Sequence, residues 1–485
     1  MATRRALAWM SIAQGSFFVL QFAGSVILAR LLTPYEMGVY AIAMAVVGLL
    51  GIVQATGLRS FVVREPDLSE ATAATVFTVN AGVAAALSAA ILGLAVAGAA
   101  LLREPGVRDV LLILTLLPLI GALEFLPAAR LEREGRFRTI AAVGMVRHLT
   151  STVLTVALAF AGYSYLSMAY GSLAGAMVSL TAMNLVGRQF VSFRLRLAEW
   201  RRILQFATHM LAISGVNAAA GRLTELILGQ TLGLAALGLY GRASTLNNLL
   251  WENIHMVIGR VLLVDFSRRK QEGQSLREAY IRTVDLLTAL LWPAFAGLAV
   301  LAGPLIQIVY GERWVAAAAP LSMMALAAIV LVSITQTWEI FVVSRETGRQ
   351  ARLEVVRTGF GLVLFTLGCL VNLTVAAASR IGEAIFSLIL YRPHLSRMTE
   401  TRTADFLAIY LRSGLLTLAA VGPALSLMLA HGWSPAVPPA QVALAILAGV
   451  AAWTVLVEVL RHPLRDEARR LLRRGAAPAP AARLD

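Results

Sequence analysis

Apolar blocks long enough to cross a bilayer follow one another along nearly the whole chain, and the cations fall in every second connection between them. Crossing the hydrocarbon core takes about 20 apolar residues, and a helix meets every backbone hydrogen bond within its own segment. Lys270 is the one lysine, so arginine carries the charge pattern. The clusters Arg130/Arg133/Arg136/Arg138, Arg188/Arg194/Arg196/Arg201/Arg202 and Arg268/Arg269/Lys270/Arg277 all lie in alternate connections, and the opposite connections are short and nearly uncharged. Counting connections and tails puts roughly 31 basic residues on one side and about five on the other, which the positive-inside rule converts into cytoplasmic termini.

Composition agrees. Of the 485 residues 58% are hydrophobic and 14% charged, against about 25% charged in soluble domains. The net charge of +15 follows from this topology and is no nucleic-acid footprint. Cys369 stands alone in an apolar block, so neither an intramolecular disulfide nor a cysteine metal set is available. Arg4 and Arg5 before an apolar run imitate a signal peptide, but the run continues to about Leu32, too long for one, and reads as the first span.

The blocks number about fourteen at this length, which gives an all-α polytopic membrane protein. The fourth is expected at Arg108 to Ala129, the eighth at Ala235 to Val264, the tenth at Val315 to Val343, the eleventh at Val356 to Asn372 and the twelfth at Leu373 to Leu390. At an offset of 200 residues Ile27, Leu28, Leu32, Gly38, Tyr40, Ala43, Leu49 and Leu50 recur as Ile227, Leu228, Leu232, Gly238, Tyr240, Ala243, Leu249 and Leu250. Leucine matches are cheap, but the Gly-x-Tyr pair after a tight hairpin is less so. A same-orientation repeat implies parallel-repeat architecture. Two pseudo-symmetric six-helix lobes are expected at residues 1–195 and 196–400, two additional spans at 401–462, and a basic amphipathic and disordered tail at 463–485.

No phosphate-binding glycine loop, metalloprotease helix or dinucleotide fingerprint is present, and the six histidines are scattered. No cofactor is expected, and any work is driven by a gradient. Each ionisable side chain inside a span costs about 2.5–3.5 kcal/mol on insertion scales and is a functional candidate by default. Arg147 lies roughly 13 Å into its span, Arg222 and Arg242 lie in spans seven and eight, and Arg30 is at the outer end of the first. Planar, permanently charged forks of this kind suit a phosphate-bearing headgroup. Plainer roles compete: Arg30 reaches water by snorkelling, and Arg222 and Glu225, three apart, neutralise each other.

Asn248, Glu252 and His255 form one polar stripe, either a site for sugar hydroxyls or ion exchange or an interhelical seam. Gln14, Gln21, Gln54 and Asn80 are neutral candidates for sugar contacts. Glu225, Glu252, His255 and Asp285 are the ion-coupling candidates, while Glu124, Asp285 and Glu339 are expected near the cytoplasmic ends, paired with loop arginines. The residues alone thus describe a transporter of an anionic amphiphile.

The hairpin Leu28-Ala29-Arg30-Leu31-Leu32-Thr33-Pro34, then Gly38-Val39-Tyr40-Ala41, Thr56-Gly57-Leu58 and Arg64-Glu65, resembles the oligosaccharide flippases, the polysaccharide-exporting branch of the multidrug/oligosaccharidyl-lipid/polysaccharide exporter superfamily. Met37 replaces a common Phe, and the stretch from Asn372 to Arg380 is compressed. The resemblance implies an inner-membrane protein that moves an undecaprenyl-diphosphate-linked oligosaccharide outward by alternating access of two six-helix lobes around a cationic cavity. Protons, sodium or the membrane potential are the candidate driving forces, and membrane lipids and a glycan polymerase with export machinery are the candidate partners. Rival readings are a cation-coupled drug antiporter, disfavoured because spans one and two hold no interior carboxylate, and a peptidoglycan-precursor flippase. A membrane enzyme such as a polymerase would carry large external loops, and here those connections are a few residues long.

Overall fold

The computed structural model of the chain describes residues 21–55, 58–65, 68–102, 104–198 and 200–465. Gln14, the Thr56–Gly57 pair and the tail beyond Arg465 lie outside it, as do the side chains at 53, 55, 97–102, 206, 209–214, 216–217, 252–261 and 264.

Among the described residues all regular structure is helical, as backbone self-sufficiency in lipid requires. The first half comprises α1 (Gln21–Leu31), α2 (Pro34–Ala55), α3 (Leu58–Arg64), α4 (Glu70–Leu102), α5 (Pro105–Leu114), α6 (Leu117–Arg133), α7 (Phe137–Phe160), α8 (Leu166–Val186) and α9 (Trp200–Leu232). There follow α10 (Leu234–Gln271), α11 (Arg277–Val300), α12 (Ala302–Tyr310), α13 (Ala318–Val332), α14 (Thr337–Val343), α15 (Thr347–Cys369), α16 (Leu373–Thr399), α17 (Ala404–Ala430) and α18 (Pro439–Val459).

Among the described residues ten stretches are long and apolar enough to cross a membrane: α2, α4, α5 with α6, α7, α8, α11, α13 with α14, α16, α17 and α18. The chain is a multi-pass membrane protein. α1 is apolar but shorter within the described residues, whereas α9, α10 and α15 carry charges such as Arg222, Arg242 and Arg357 along their lengths.

Helix ends depart from the apolar blocks in both directions. α15 starts at Thr347 rather than Val356, α16 runs to Thr399 rather than Leu390, and α10 to Gln271 rather than Val264. Apolarity marks what faces lipid, while the hydrogen-bond ladder continues until the backbone leaves the helical region. It does so at Arg345 (φ 58°), Glu400 (φ 57°) and Gly273 (φ 69°). Conversely, the fourth expected span is broken between α5 and α6, and the tenth is broken before α14, where Gln336 adopts a left-handed φ of 60°.

The chain forms two compact units, one made of residues 1–241, 309–313 and 369–373, the other of 242–308, 314–368 and 374–485. In the first, α7 and α8 approach through Gly171 and Gly175. A Cβ on Gly171 would sit 1.9 Å from Thr155 Oγ1, and one on Gly175 2.8 Å from the Arg147 carbonyl, the small-residue packing that brings membrane helices together. In the second, α11 packs on α13 and α17, and α17 on α18, around a core that includes Tyr280, Phe341, Tyr391 and Phe406.

Within the first unit the opening turns of α2 and α10 cross backbone to backbone. A Cβ at Gly38 would lie 1.8 Å from the Leu234 carbonyl oxygen, and one at Gly238 2.0 Å from that of Pro34. Pro34 and Gly38 correspond to Leu234 and Gly238 at the repeat offset, so the contact is reciprocal about a local two-fold. Gly38→Ala or Gly238→Ala is expected to cost about 1–3 kcal/mol or more, since the blocking atom is main chain and cannot rotate away. Gly297→Ala, where a Cβ meets nothing within 4 Å inside a helix, should be neutral or stabilising by up to about 1 kcal/mol. Thermal unfolding of the detergent-solubilised protein checks both: Tm falls for the first pair and not for the third.

Candidate functional site

In the first unit the charged candidates sit on separate helices. Arg147, ten residues or about 15 Å along α7, has a side chain 47% exposed, and its Nη1 pairs with Glu124 Oε1 of α6 at 3.3 Å. Glu124 Oε2 is buried with no partner among the described residues. Arg222 Nη1 donates to Glu225 at 2.9 Å one turn along α9, and its guanidinium lies on α2, where a Cβ at Gly48 would be 2.6 Å from its Nε. That glycine is what admits the side chain. Arg30 is exposed at the end of α1, with Nε 3.4 Å from the Val309 carbonyl.

The neutral candidates are dispersed. Gln54 Nε2 donates to the Pro118 carbonyl at 3.2 Å, and Gln21 is exposed on α1. Asn80 is wholly buried on α4, with neither amide atom bonded among the described residues. In the second unit Asn248 is exposed, and Arg242 lies over the Trp314 ring, 5.8 Å from its centroid. Glu252 and His255 are helical in α10, but their side chains lie outside the described residues.

Glu124 and Asp285 differ from expectation in that their arginine partners stand in spans rather than in loops. Asp285 is buried on α11 and accepts from Arg412 Nη2 of α17 at 3.1 Å to each oxygen, and from His462 Nε2, just past α18, at 3.1 Å. The Leu464 N–H donates to His462 Nδ1 at 3.2 Å, which leaves the ring proton on Nε2. The aspartate therefore ties both C-terminal helices to α11. Glu339 is buried, and the Gln336 amide reaches both of its oxygens at 3.0 Å.

A second charged network escaped the sequence reading. On α15 Arg357 binds Glu354 through Nε at 3.1 Å and also through Nη2, and it reaches Glu383 of α16 through Nη1. Arg380 Nη1 donates to Glu383 at 2.6 Å, and the Tyr391 hydroxyl to Glu354 at 2.6 Å. Two guanidiniums and two carboxylates cancel. Both three-residue spacings are visible in the sequence, but drawing the eleventh span from Val356 left Glu354 in a connection and Arg357 at an edge. With α15 starting at Thr347, Arg357 stands about 15 Å along it. Outside the spans, Glu346 accepts from Arg397 Nη2 at 2.7 and 2.6 Å. Burial would raise its carboxyl, but the bonds from Arg397 and the charges of Arg397 and Arg349 outweigh it and hold it below the ordinary value.

The family model for polysaccharide biosynthesis proteins matches residues 27–319. The succinoglycan biosynthesis transport protein ExoT of Rhizobium meliloti is 26% identical over 327 residues, 67% of this chain and 66% of that protein. The lipopolysaccharide biosynthesis protein WzxC of Escherichia coli is 23% identical over 317 residues, 63% of each chain. The similarity thus spans just under two thirds of each of these relatives. The lipid II flippase MurJ, in an inward closed conformation, shares the fold with a TM-score of 0.72 at 14% identity, over 94% of this chain and 99% of that one.

The α15–α16 network should behave as a unit. Glu383→Ala takes the carboxylate from Arg380 and leaves Arg357 with Glu354 alone, and it is expected to lower stability by about 3 kcal/mol, the low end for breaking a buried pair because these side chains keep some solvent. Chemical unfolding in detergent measures the loss, and Glu383→Asp, which keeps the charge, should recover part of it.

Proposed function

The chain belongs to the polysaccharide biosynthesis protein family, and on that premise we propose that it is a flippase for an undecaprenyl-diphosphate-linked oligosaccharide. It would serve cell-surface or exported polysaccharide synthesis in the bacterial inner membrane. The observation that carries the reading is the state of Arg147. It stands deep in a span, and among the described residues Glu124 engages one Nη of a guanidinium that has five N–H donors. A phosphate-bearing group is the natural acceptor for such a fork. The relatives named for succinoglycan transport and lipopolysaccharide biosynthesis support the same substrate class.

On this reading α1, α9, α10 and α15 join the ten apolar stretches as spans, about fourteen in all. Residues 1–195 and 196–400 act as lobes moving by alternating access, and 401–462 adds two spans. Both termini and the arginine-rich connections face the cytoplasm. Arg30, Arg222 and Arg242 join Arg147 as diphosphate ligands; Gln14, Gln21, Gln54, Asn80 and Asn248 receive sugar hydroxyls. Protons or sodium couple through Glu225, Glu252, His255 or Asp285, and the last must shed Arg412 and His462 to do so. A glycan polymerase and export machinery are the expected partners.

Reconstitution in liposomes with a fluorescent undecaprenyl-diphosphate oligosaccharide tests the reading, with organic-cation efflux measured in parallel. Wild type should move the lipid. Arg147→Ala should lose about tenfold or more of the rate, the equivalent of one charge-assisted bond of about 1.5–3 kcal/mol, and Arg147→Lys should keep part because a point charge lacks the fork. Cation efflux without lipid movement overturns the flippase, and full activity in a well-inserted Arg147→Ala overturns the site.

A further inference from the structure

At the arginine-rich end of the second unit three helices gather donors around one aromatic ring. Phe406, buried near the start of α17, carries the Arg392 guanidinium of α16 on its face, with Cζ 3.9 Å from the ring centroid. Tyr280 of α11, fully buried, meets the same ring at 6.0 Å and 65°, and Tyr410 lies one turn further along α17, also at 6.0 Å. Arg392 is within electrostatic reach of both hydroxyls. Tyr410 donates to the Ser333 carbonyl at 3.2 Å. Neither Nη atom of Arg392 nor the Tyr280 hydroxyl, all buried, has a hydrogen-bond partner among the described residues.

This arrangement departs from the neighbouring arginines. Arg357 and Arg380 share Glu383, Arg397 holds Glu346 and Arg412 holds Asp285. Cation–π contact offsets part of the desolvation of Arg392, but a buried guanidinium with idle donors remains costly. Both Nη atoms can only donate and the phenol can donate beside them, a complement that favours an anion with several oxygens. A tetrahedral phosphate accepts from both prongs of the fork and from a phenol at once.

Depth says how such a group arrives. Arg392 is seven residues, about 10 Å, from the end of α16; Tyr280 is three residues, about 5 Å, from the start of α11; Phe406 is two residues inside α17. Arg277, Arg397 and Arg402 lie at the same end. If the helix ends mark the edge of the bilayer, this end lies at the level of lipid headgroups, where basic pockets between membrane helices take phosphates.

We propose that Arg392 and Tyr280, held around Phe406, form a binding site for the phosphate of a membrane-borne lipid, separate from the arginines assigned to substrate above. The site rests on the membrane topology and does not require the flippase reading.

Calorimetric titration of the full chain in neutral detergent tests it, with three probes: short-chain phosphatidylglycerol, farnesyl diphosphate and inorganic phosphate. At least one of the two lipid probes should bind wild type. Arg392→Gln should weaken it about tenfold or more, and Tyr280→Phe, which keeps the ring against Phe406, about threefold to tenfold. Preference for phosphatidylglycerol identifies a bilayer lipid as the occupant, and preference for farnesyl diphosphate identifies a prenyl carrier. Binding of neither lipid probe, or affinities equal in wild type and Tyr280→Phe, overturns the proposal; because Tyr280→Phe removes one oxygen only, the test stands even if Arg392→Gln does not fold.

Discussion

A guanidinium cannot shed its proton, so each arginine carried into the membrane must find an anion, an aromatic face or a path to water. The internal organisation of both units answers that constraint. Arg147 takes a carboxylate from the next helix, Arg222 one from its own helix a turn away, and Arg357 and Arg380 share a neutral cluster between α15 and α16. Arg412 is held by an aspartate that also binds His462, so a single buried carboxylate secures two C-terminal helices. Arg242 and Arg392 lie instead on aromatic rings. Replacing buried ion pairs by apolar residues is often neutral or stabilising, so these charges are weak support for stability.

Close backbone approach is the second organising constraint. Membrane helices gain little from apolar contact with each other, since lipid tails are equally apolar, and they associate where small residues let main chains meet. The α2–α10 crossing is the tightest expression of this, with Gly38 and Gly238 each facing a carbonyl of the opposite turn. It also gives the repeat a physical meaning: the same local sequence, used twice, meets itself. Gly48 extends the logic to chemistry by opening the space in which the Arg222 guanidinium lies against α2.

Much of the fold was legible. Block length gave a multi-pass membrane protein built of helices, because spanning depends on transfer energies summed along a contiguous segment. The Arg222–Glu225 pair was legible too, since a three-residue spacing closes on one helix face whatever surrounds it. Helix ends were less so: α15 and α16 run nine residues past their apolar blocks, because the ladder stops at a backbone dihedral and hydropathy does not encode one.

The sequence by itself determined the class of the protein, its repeated Gly-x-Tyr hairpins and the residues whose charge needs explaining. Tertiary structure alone decided which charge meets which between helices. Asp285 finds Arg412 and His462 at separations of 127 and 177 residues, Arg147 finds Glu124, and Arg357 finds Glu383, while Arg392 is turned onto Phe406. The reason is geometric. A helix fixes the neighbours of a side chain up to four residues away, but the rotation and depth of one helix against another depend on packing spread over the whole interface, which no local spacing in the chain records.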